Sequence, residues 1–160
     1  MLFRSANSAA VPVCADDVYV QGTQAVVASI TSTTGGNFEA LTTTSTVSTN
    51  VVDDADATTV TLTASAASVT EGGSIVYTAT VNNAVTGSPL VITLSGGTTI
   101  TIPVGQSSAN SAAVPVRADD VYVQGTQAVV ASITSTSGGY FEALTTTSTV
   151  STTVVDVADA

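Results

Sequence analysis

The sequence predicts an all-β protein: an immunoglobulin-like, seven-stranded antiparallel β-sandwich, with one full repeat preceded by a C-terminal half repeat. Residues 5–57 recur as residues 108–160 at an offset of 103, and only five of the 53 aligned positions differ. Val, Thr and Ile alternate with polar residues between glycine turns, and no helical period is found. A repeat of roughly 100 residues is too long for a solenoid and has the size of one β-sandwich domain. The differing pairs are Cys14/Arg117, Thr34/Ser137, Asn37/Tyr140, Asn50/Thr153 and Asp54/Val157.

Seven strands, A to G, are predicted in the complete repeat, each bounded by turn residues. Strand A is expected to break near residues 64–67, and strand B alternates cleanly. Pro115 predicts an edge or a bulge in strand E, because proline cannot donate to a ladder. Residues 105–110 are predicted as loop, residues 118–125 as an acidic loop, and Gly138-Gly139 as a turn. The strands A to G cover residues 59–70, 74–82, 90–94, 98–104, 111–117, 126–135 and 141–155.

The repeat divides the chain into three parts. Residues 1–52 form an incomplete repeat with the equivalents of strands E, F and G, residues 53–58 an acidic linker, and residues 59–160 a complete repeat. The incomplete repeat lacks the equivalents of strands A to D and therefore half of a core. We expect it to be loosely ordered alone or to exchange strands with another chain, as a piece of a longer array would.

The composition excludes several classes of function. A formal net charge of −10, with Arg4 and Arg117 the only bases, argues against nucleic-acid binding and against an anionic membrane surface. No apolar run approaches the ~20 residues of a membrane span, and Met1–Arg4 lacks the apolar stretch of a secretory signal. Histidine and lysine are absent and Cys14 is not retained in the second copy, so we expect no enzyme.

Strand direction predicts that the acidic residues gather at one end of the sandwich. In an antiparallel sandwich with these strands, the A–B turn, the E–F loop and the end of strand G lie at the same end. Ten of the twelve acids fall in these places or in their counterparts, and only Glu39 and Glu142 do not. Carboxylates so close repel each other, and calcium, which takes about 6–8 oxygen ligands, would turn the repulsion into attraction. The predicted calcium ligands are Glu71, Asp119, Asp120, Asp156 and Asp159, with Asp16, Asp17, Asp53, Asp54 and Asp56 in the first copy.

These residues resemble two kinds of protein. The segment from Val69 to Ile75, the run Ala118-Asp119-Asp120 and the final Val154-Val155-Asp156 resemble the Calx-β calcium-binding sandwich. That resemblance implies Glu71, Asp119, Asp120 and Asp156 as ligands, while Val123-Gln124-Gly125 replaces the glutamate that usually follows the aspartate pair. The near-identical tandem repeat and the Thr/Ser/Val/Ala bias are similar to the extender repeats of large bacterial RTX biofilm adhesins, secreted by type I systems. Such repeats are stacked immunoglobulin-like domains with calcium at their linkers.

The sequence thus favours a non-catalytic extender module of a bacterial cell-surface adhesin, made rigid by calcium between repeats. It would act in cell adhesion and biofilm formation outside the cell, with neighbouring identical repeats as its partners. Three alternatives stay open. One is a Calx-β-like calcium-binding module, another a calcium sensor that changes shape. The third is a recognition surface for a sugar or protein on the loops at residues 83–89 and 135–143, with Tyr140 and Phe141.

Overall fold

The structure is a computed structural model that describes residues 5–159. Predictions about the stretch Met1–Arg4, including the base Arg4, and about Ala160 lie outside these residues. The predicted fold class is confirmed, because residues 5–159 contain strands, turns and loops and no helix. Within this range there is accordingly no helix long and apolar enough to cross a membrane.

Thirteen strands are found in the described part of the chain. We number them in chain order: β1 Gln24–Ser29, β2 Thr46–Val51, β3 Ala57–Ala64, β4 Ser68–Thr70, β5 Ser74–Ile75, β6 Tyr77–Val81, β7 Leu90–Leu94, β8 Thr99–Ile102, β9 Ser108–Asn110, β10 Val114–Pro115, β11 Gln127–Ser137, β12 Ala143–Thr145 and β13 Thr149–Val155. They divide between two compact units. Unit 1 contains Met1–Asp17 and Gln21–Asp54, and unit 2 contains Val18–Val20 and Ala55–Ala160.

Unit 1 contains one antiparallel hairpin, formed by β1 and β2. Its register runs from Gln24 opposite Val51 to Ser29 opposite Thr46. Five of the six residues in β2 and all six in β1 are exposed. The hairpin therefore has a complete hydrogen-bond ladder and no buried face.

Unit 2 is a sandwich of two main sheets. One sheet has five strands in the order β4-β13-β11-β7-β8, and the other has four in the order β12-β3-β6-β9. A short additional pair joins β10 to β5. Alternate residues of β3, β6, β7 and β8 point into the space between the sheets. The core contains Val60, Leu62, Ile75, Tyr77, Ala79, Val81, Val85, Leu90, Ile92, Leu94, Ile100, Ile102 and Ala131.

The first and last strands of unit 2 each contribute to both sheets. Strand A breaks after β3, as expected, and β3 pairs in parallel with β12 while β4 pairs in parallel with β13. The break falls at residues 65–67, where small Ser and Ala side chains interrupt the apolar alternation. The prediction of a continuous strand G over residues 141–155 is wrong, because the strand breaks at residues 146–148. There Ser148 leaves the ladder and its Oγ accepts a hydrogen bond from the backbone N–H of Leu62 (2.9 Å).

A second prediction, that residues 105–110 are loop, is also wrong in part. Residues 108–110 form β9, which pairs with β6 in antiparallel register. Ala109 lies opposite Ala79, which is fully buried in the core. A strand this short and built from Ser, Ala and Asn shows little apolar periodicity, and its backbone pairing decides its place.

Candidate functional site

Glu71 is the centre of the acidic end of unit 2. It lies in the turn after β4, where strand A returns toward β5, and it is only 4% exposed although it is a glutamate. Its Oε2 accepts a hydrogen bond from Nε of Arg117 (3.2 Å), and its Oε1 accepts one from the backbone N–H of Val157 (2.8 Å). A buried carboxylate needs such partners, because leaving it unpaired would be costly. Glu71 therefore ties the A–B turn to the end of strand G.

Asp156 lies beside Glu71 and holds the E–F loop. Its Oδ2 accepts the backbone N–H of Gln124 (2.9 Å) and of Gly125 (3.3 Å). A hydrogen bond with the Glu71 carboxyl lowers the pKa of Asp156 below its ordinary value. The two N–H groups and the charge of Arg117 also lower it, against partial desolvation, which raises it. Asp156 thus ties the end of strand G to the E–F loop.

Arg117 supplies the positive charge at this end. Its Nη2 donates to the carbonyl oxygen of Gly125 (2.6 Å) and lies 3.7 Å from Oδ1 of Asp156. Its side chain is 15% exposed and that of Glu71 is fully buried, so water screens the Arg117–Glu71 ion pair only weakly. Oδ1 of Asp156 is buried and has no N–H donor among the residues that the structure describes. Oxygen atoms of two carboxylates and one carbonyl therefore converge on a single guanidinium group.

The other predicted ligands of the complete repeat lie around this group. Asp119 is exposed and lies against the A–B turn, where a Cβ added at Gly72 would be 3.2 Å from its Cβ. Asp120 accepts hydrogen bonds within the E–F loop from the Tyr122 N–H (2.8 Å) and from the Gln124 side-chain amide. Asp159 is exposed and lines, with residues 121–123 and 156–158, a hollow of about 300 Å³. Four of the five predicted ligands of the complete repeat thus lie together at one end of unit 2. The fifth, Asp159, is exposed to solvent beside them.

In the first copy the acidic residues fall into two groups. Asp53 accepts the N–H of Gln21 (2.7 Å) and of Gly22 (3.3 Å), and Asp17 accepts the Gln21 side-chain amide. The loop is therefore held as it is in the second copy. Asp16, Asp53 and Asp54 also line a hollow of about 180 Å³ that includes Cys14. Asp56 does not join them, because it belongs to unit 2.

The metal role of all ten acids stays a prediction. Across residues 5–159 no group of three or more His, Cys, Asp or Glu side chains is arranged so that it could hold a metal ion. In the second copy Arg117 lies where the oxygens of Glu71, Asp156 and Gly125 meet. These oxygens are of the kind that calcium prefers, and a guanidinium group already neutralises them.

A second candidate site lies on what we call the receiving edge, residues 140–142. Val18–Val20 belongs to unit 2 and pairs with this edge. The Val20 N–H donates to the Tyr140 carbonyl (3.1 Å), and the Glu142 N–H donates to the Val18 carbonyl (3.2 Å). Between these bonds, Tyr19 lies opposite Phe141 in an antiparallel bridge. The contact is a single antiparallel β-bridge flanked by two backbone hydrogen bonds, which is the smallest form of strand addition to a sheet edge.

The ring of Tyr19 makes this contact specific. Its centroid is 5.6 Å from that of Phe141 at an interplanar angle of 31°, within the favourable range for aromatic pairs. Its hydroxyl donates to the carbonyl oxygen of Ala84 (2.7 Å). Tyr19 therefore contacts both loops, residues 83–89 and 135–143, that the sequence suggested as an alternative recognition surface.

The receiving edge is held in a strained conformation. Tyr140 has a positive φ of 49°, which is uncommon for a bulky residue. Its ring covers Gly87, where an added Cβ would lie 2.2 Å from a ring carbon. Glu142 accepts the backbone N–H of Asp56 on its Oε2 (2.7 Å), which ties the linker to the same edge. Strain of this kind persists where surrounding contacts fix it, and such places are often functional.

Sequence reasoning missed three of these residues. The sequence marks Arg117 only as the one base near the acids, and it does not predict the pairing with Glu71. Tyr19 falls inside the predicted acidic loop of the first copy, although valine and tyrosine, the residues of Val18-Tyr19-Val20, are enriched in strands. Glu142 falls outside the predicted acidic cluster, yet it binds the linker.

Comparison with known proteins gives one family. The profile of the LapA domain matches residues 4–55 and 56–158. No match was found among the curated proteins or among the solved structures.

Proposed function

The chain belongs to the LapA domain family, a large adhesin-related and non-enzymatic family, which indicates a cell-surface, adhesin-related role. From this premise we propose that the chain is part of a non-catalytic extender of a bacterial surface adhesin, in which copies follow one another and carry a binding region away from the cell. The observation that carries the proposal is that two LapA segments follow each other in one chain. Their sequences are nearly identical over the part that can be aligned, residues 5–57 with residues 108–160. Tandem repetition adds length without adding a new site.

An extender needs stiff joints, and the acidic end of unit 2 has the chemistry for one. Glu71 fixes the A–B turn to Val157, just beyond strand G, and Asp156 fixes the E–F loop. The chain leaves the repeat at this place. Contacts that hold the leaving segment reduce the freedom of the next domain in an array.

Calcium is the proposed partner where arginine is absent. Position 117 carries Arg in one copy and its counterpart carries Cys14 in the other, so the charge at this position varies between copies. In a repeat with Glu71 and Asp156 but without Arg117, two carboxylates and the Gly125 carbonyl would lack their cation. Calcium would bind these oxygens with Asp119 or Asp120 and water completing its shell. We also propose that the adhesin is secreted by an RTX-type system, acts in biofilm formation and is located outside the cell.

The test is a calcium titration of the chain and of its Arg117→Cys variant, followed by thermal melting. In EDTA the variant should melt below the wild type, and calcium should restore it with a midpoint of about 10⁻⁴–10⁻³ M, the range of extracellular modules. The wild type should respond less, because Arg117 already neutralises Glu71 and Asp156.

Two results would contradict the calcium part. One is a variant whose melting temperature is the same in EDTA and in calcium. The other is a midpoint of about 10⁻⁷–10⁻⁵ M, which would favour the alternative of a calcium sensor. The control is Thr34→Ser, a change to the residue of the other copy at a position outside the acidic end, which should alter neither melting nor the response to calcium.

A further inference from the structure

We propose that residues 121–123 bind to the receiving edge of the next copy of the repeat, as an added β-strand with Tyr122 as its anchor. The proposed joint therefore consists of direct contacts between protein groups. It rests on the proposed function only in that copies follow one another, and it does not depend on calcium.

The same segment already makes this contact once in the chain. Residues 16–22 and 119–125 have identical sequences. In both copies the loop is anchored alike, because the aspartate after strand G accepts the N–H groups of the Gln-Gly pair. Val18–Val20 is paired with the receiving edge of unit 2. A segment of the same sequence with the same anchors has the same means of pairing.

The segment is exposed in the second copy. Val121, Tyr122 and Val123 are 75%, 73% and 97% exposed, whereas Tyr19 is half-buried. These three consecutive exposed residues, two valines and a tyrosine, form a small apolar surface, and exposed apolar surface of this kind is typical of an interaction site. In the first copy the same three residues, Val18–Val20, pair with the receiving edge.

The matching surface of the first copy is exposed as well. Phe38 is the counterpart of Phe141 and is 70% exposed, whereas Phe141 is half-buried and stacks on Tyr19. Each half of the contact is thus exposed where its partner is missing.

The contact also tolerates the one difference between the two receiving edges. Position 140 is Tyr in the second copy and its counterpart is Asn37 in the first, but it contributes only its carbonyl oxygen to Val20. Both residues have positive φ values, 49° and 33°, so the carbonyl is presented in a similar way. Phe141 and Glu142, which face Tyr19 and donate to Val18, are the same in both copies.

The linker supplies a second tie at the same place. The Asp56 N–H donates to Glu142, and Asp159 is the counterpart of Asp56. We expect the Asp159 N–H to bind the equivalent glutamate of the next copy. The linker and residues 121–123 would then reach the same edge of the next copy.

The first experiment uses the chain as it is. In hydrogen exchange, the Val20 amide should be protected and the Val123 amide should exchange at least about tenfold faster. Equal protection of the two amides would overturn the proposal, because it would mean that the contact of Val18–Val20 has no stabilising effect.

The second experiment uses the chain extended at its C-terminus by another copy of residues 58–160. In the extended chain, Tyr122→Ala should lower the melting temperature of the added copy by about 5 °C and remove the protection of the Val123 amide. In the unextended chain the same substitution should change nothing, and Tyr19→Ala should lower the melting temperature of unit 2 in both. An unchanged extended chain after Tyr122→Ala would overturn the proposal.

All measurements are repeated in EDTA, which separates this proposal from the calcium joint. An effect of Tyr122→Ala that persists in EDTA supports the direct joint even if calcium has no effect on any variant. An effect of Tyr122→Ala that appears only in calcium contradicts it.

Discussion

The chain folds the same hairpin twice, and only one of the two is buried. In unit 1, β1 and β2 pair from Gln24 opposite Val51, and in unit 2, β11 and β13 pair from Gln127 opposite Val154 in the same register. Val154 is fully buried, whereas its counterpart Val51 is only half-buried. Backbone pairing is therefore a local property of this sequence, and burial is supplied by other strands.

Unit 1 has an exposed apolar surface at the place where the complete repeat has its core. A hollow of about 260 Å³ there is lined by apolar residues and one threonine, namely Val11, Val13, Val26, Ala28, Val47 and Thr49. Their six counterparts in unit 2 are all buried or half-buried. Five of them pack in or against the core, namely Val114, Val116, Val129, Ala131 and Val150, and the sixth, Thr152, is fully buried. Strands A to D provide this cover in unit 2, and a two-stranded hairpin without it is marginally stable in water.

The largest expected difference between the hairpins is in hydrogen exchange. Amides of β11 should open only when unit 2 unfolds, whereas those of β1 open with local fraying. If unit 2 has a stability of about 5 kcal/mol, its protection factors should exceed those of β1 by roughly a thousandfold or more. Strong protection of residues 24–30 in a proven monomer would contradict this comparison. The same protection in a dimer would indicate strand exchange.

A smaller effect is expected at the one charged difference between the copies. In calcium-free buffer, Arg117→Cys should destabilise unit 2 by about 3 kcal/mol, because it leaves the buried Glu71 without its cation. The reciprocal Cys14→Arg should change stability by less than about 0.5 kcal/mol, because Cys14 is exposed. Chemical denaturation of both variants measures the two values. Similar losses would show that position 117 acts through something other than Glu71.

A second pair of variants tests the effect of burial on stability. Val154→Ala should cost about 2 kcal/mol, since two methyl groups leave a fully buried site. Val51→Ala should cost less than about 1 kcal/mol, because Val51 is only half-buried. Denaturation curves with unchanged m-values would assign both differences to the folded state. Equal losses would mean that unit 1 has a core of its own.

The smallest effect is expected at a buried hydroxyl. Thr152 is fully buried and its Oγ1 donates to the Ala66 carbonyl (3.0 Å). Thr152→Val removes this bond and should cost about 1 kcal/mol, whereas Thr49→Val, at an exposed position, should cost nothing measurable in the same denaturation experiment. A loss at Thr49 as large as at Thr152 would contradict the burial difference.

The elements that could be predicted from sequence are those with a complete local pattern. Strand C is predicted at residues 90–94 and is found there, because its three buried and two half-buried residues alternate without interruption. The parallel pairing of β4 with β13 could not be predicted, because its partners lie 85 residues apart. The local pattern shows which residues are apolar and does not show which strand they meet.

The candidate sites show the same division. Strand direction alone suggested that Glu71 and Asp156 would lie at one end, and the structure places them side by side. The role of Arg117 depended on distances that spacing does not contain. Tyr19 and Tyr122 have identical neighbours in sequence and differ in environment. No local signal could separate them, since Tyr19 is followed along the chain by a complete repeat whose receiving edge covers it.

The parallel pairing of the first and last strands has a mechanical consequence. Strand A enters unit 2 through β3 and strand G leaves it through β13, and both β3–β12 and β4–β13 run in parallel. When the two termini are pulled apart, β4 and β13 are drawn in opposite directions along their length. Their hydrogen bonds are then loaded together in shear and do not open one after another. If the chain is part of the extender proposed above, a pulling force along it would load these bonds in shear in each complete repeat.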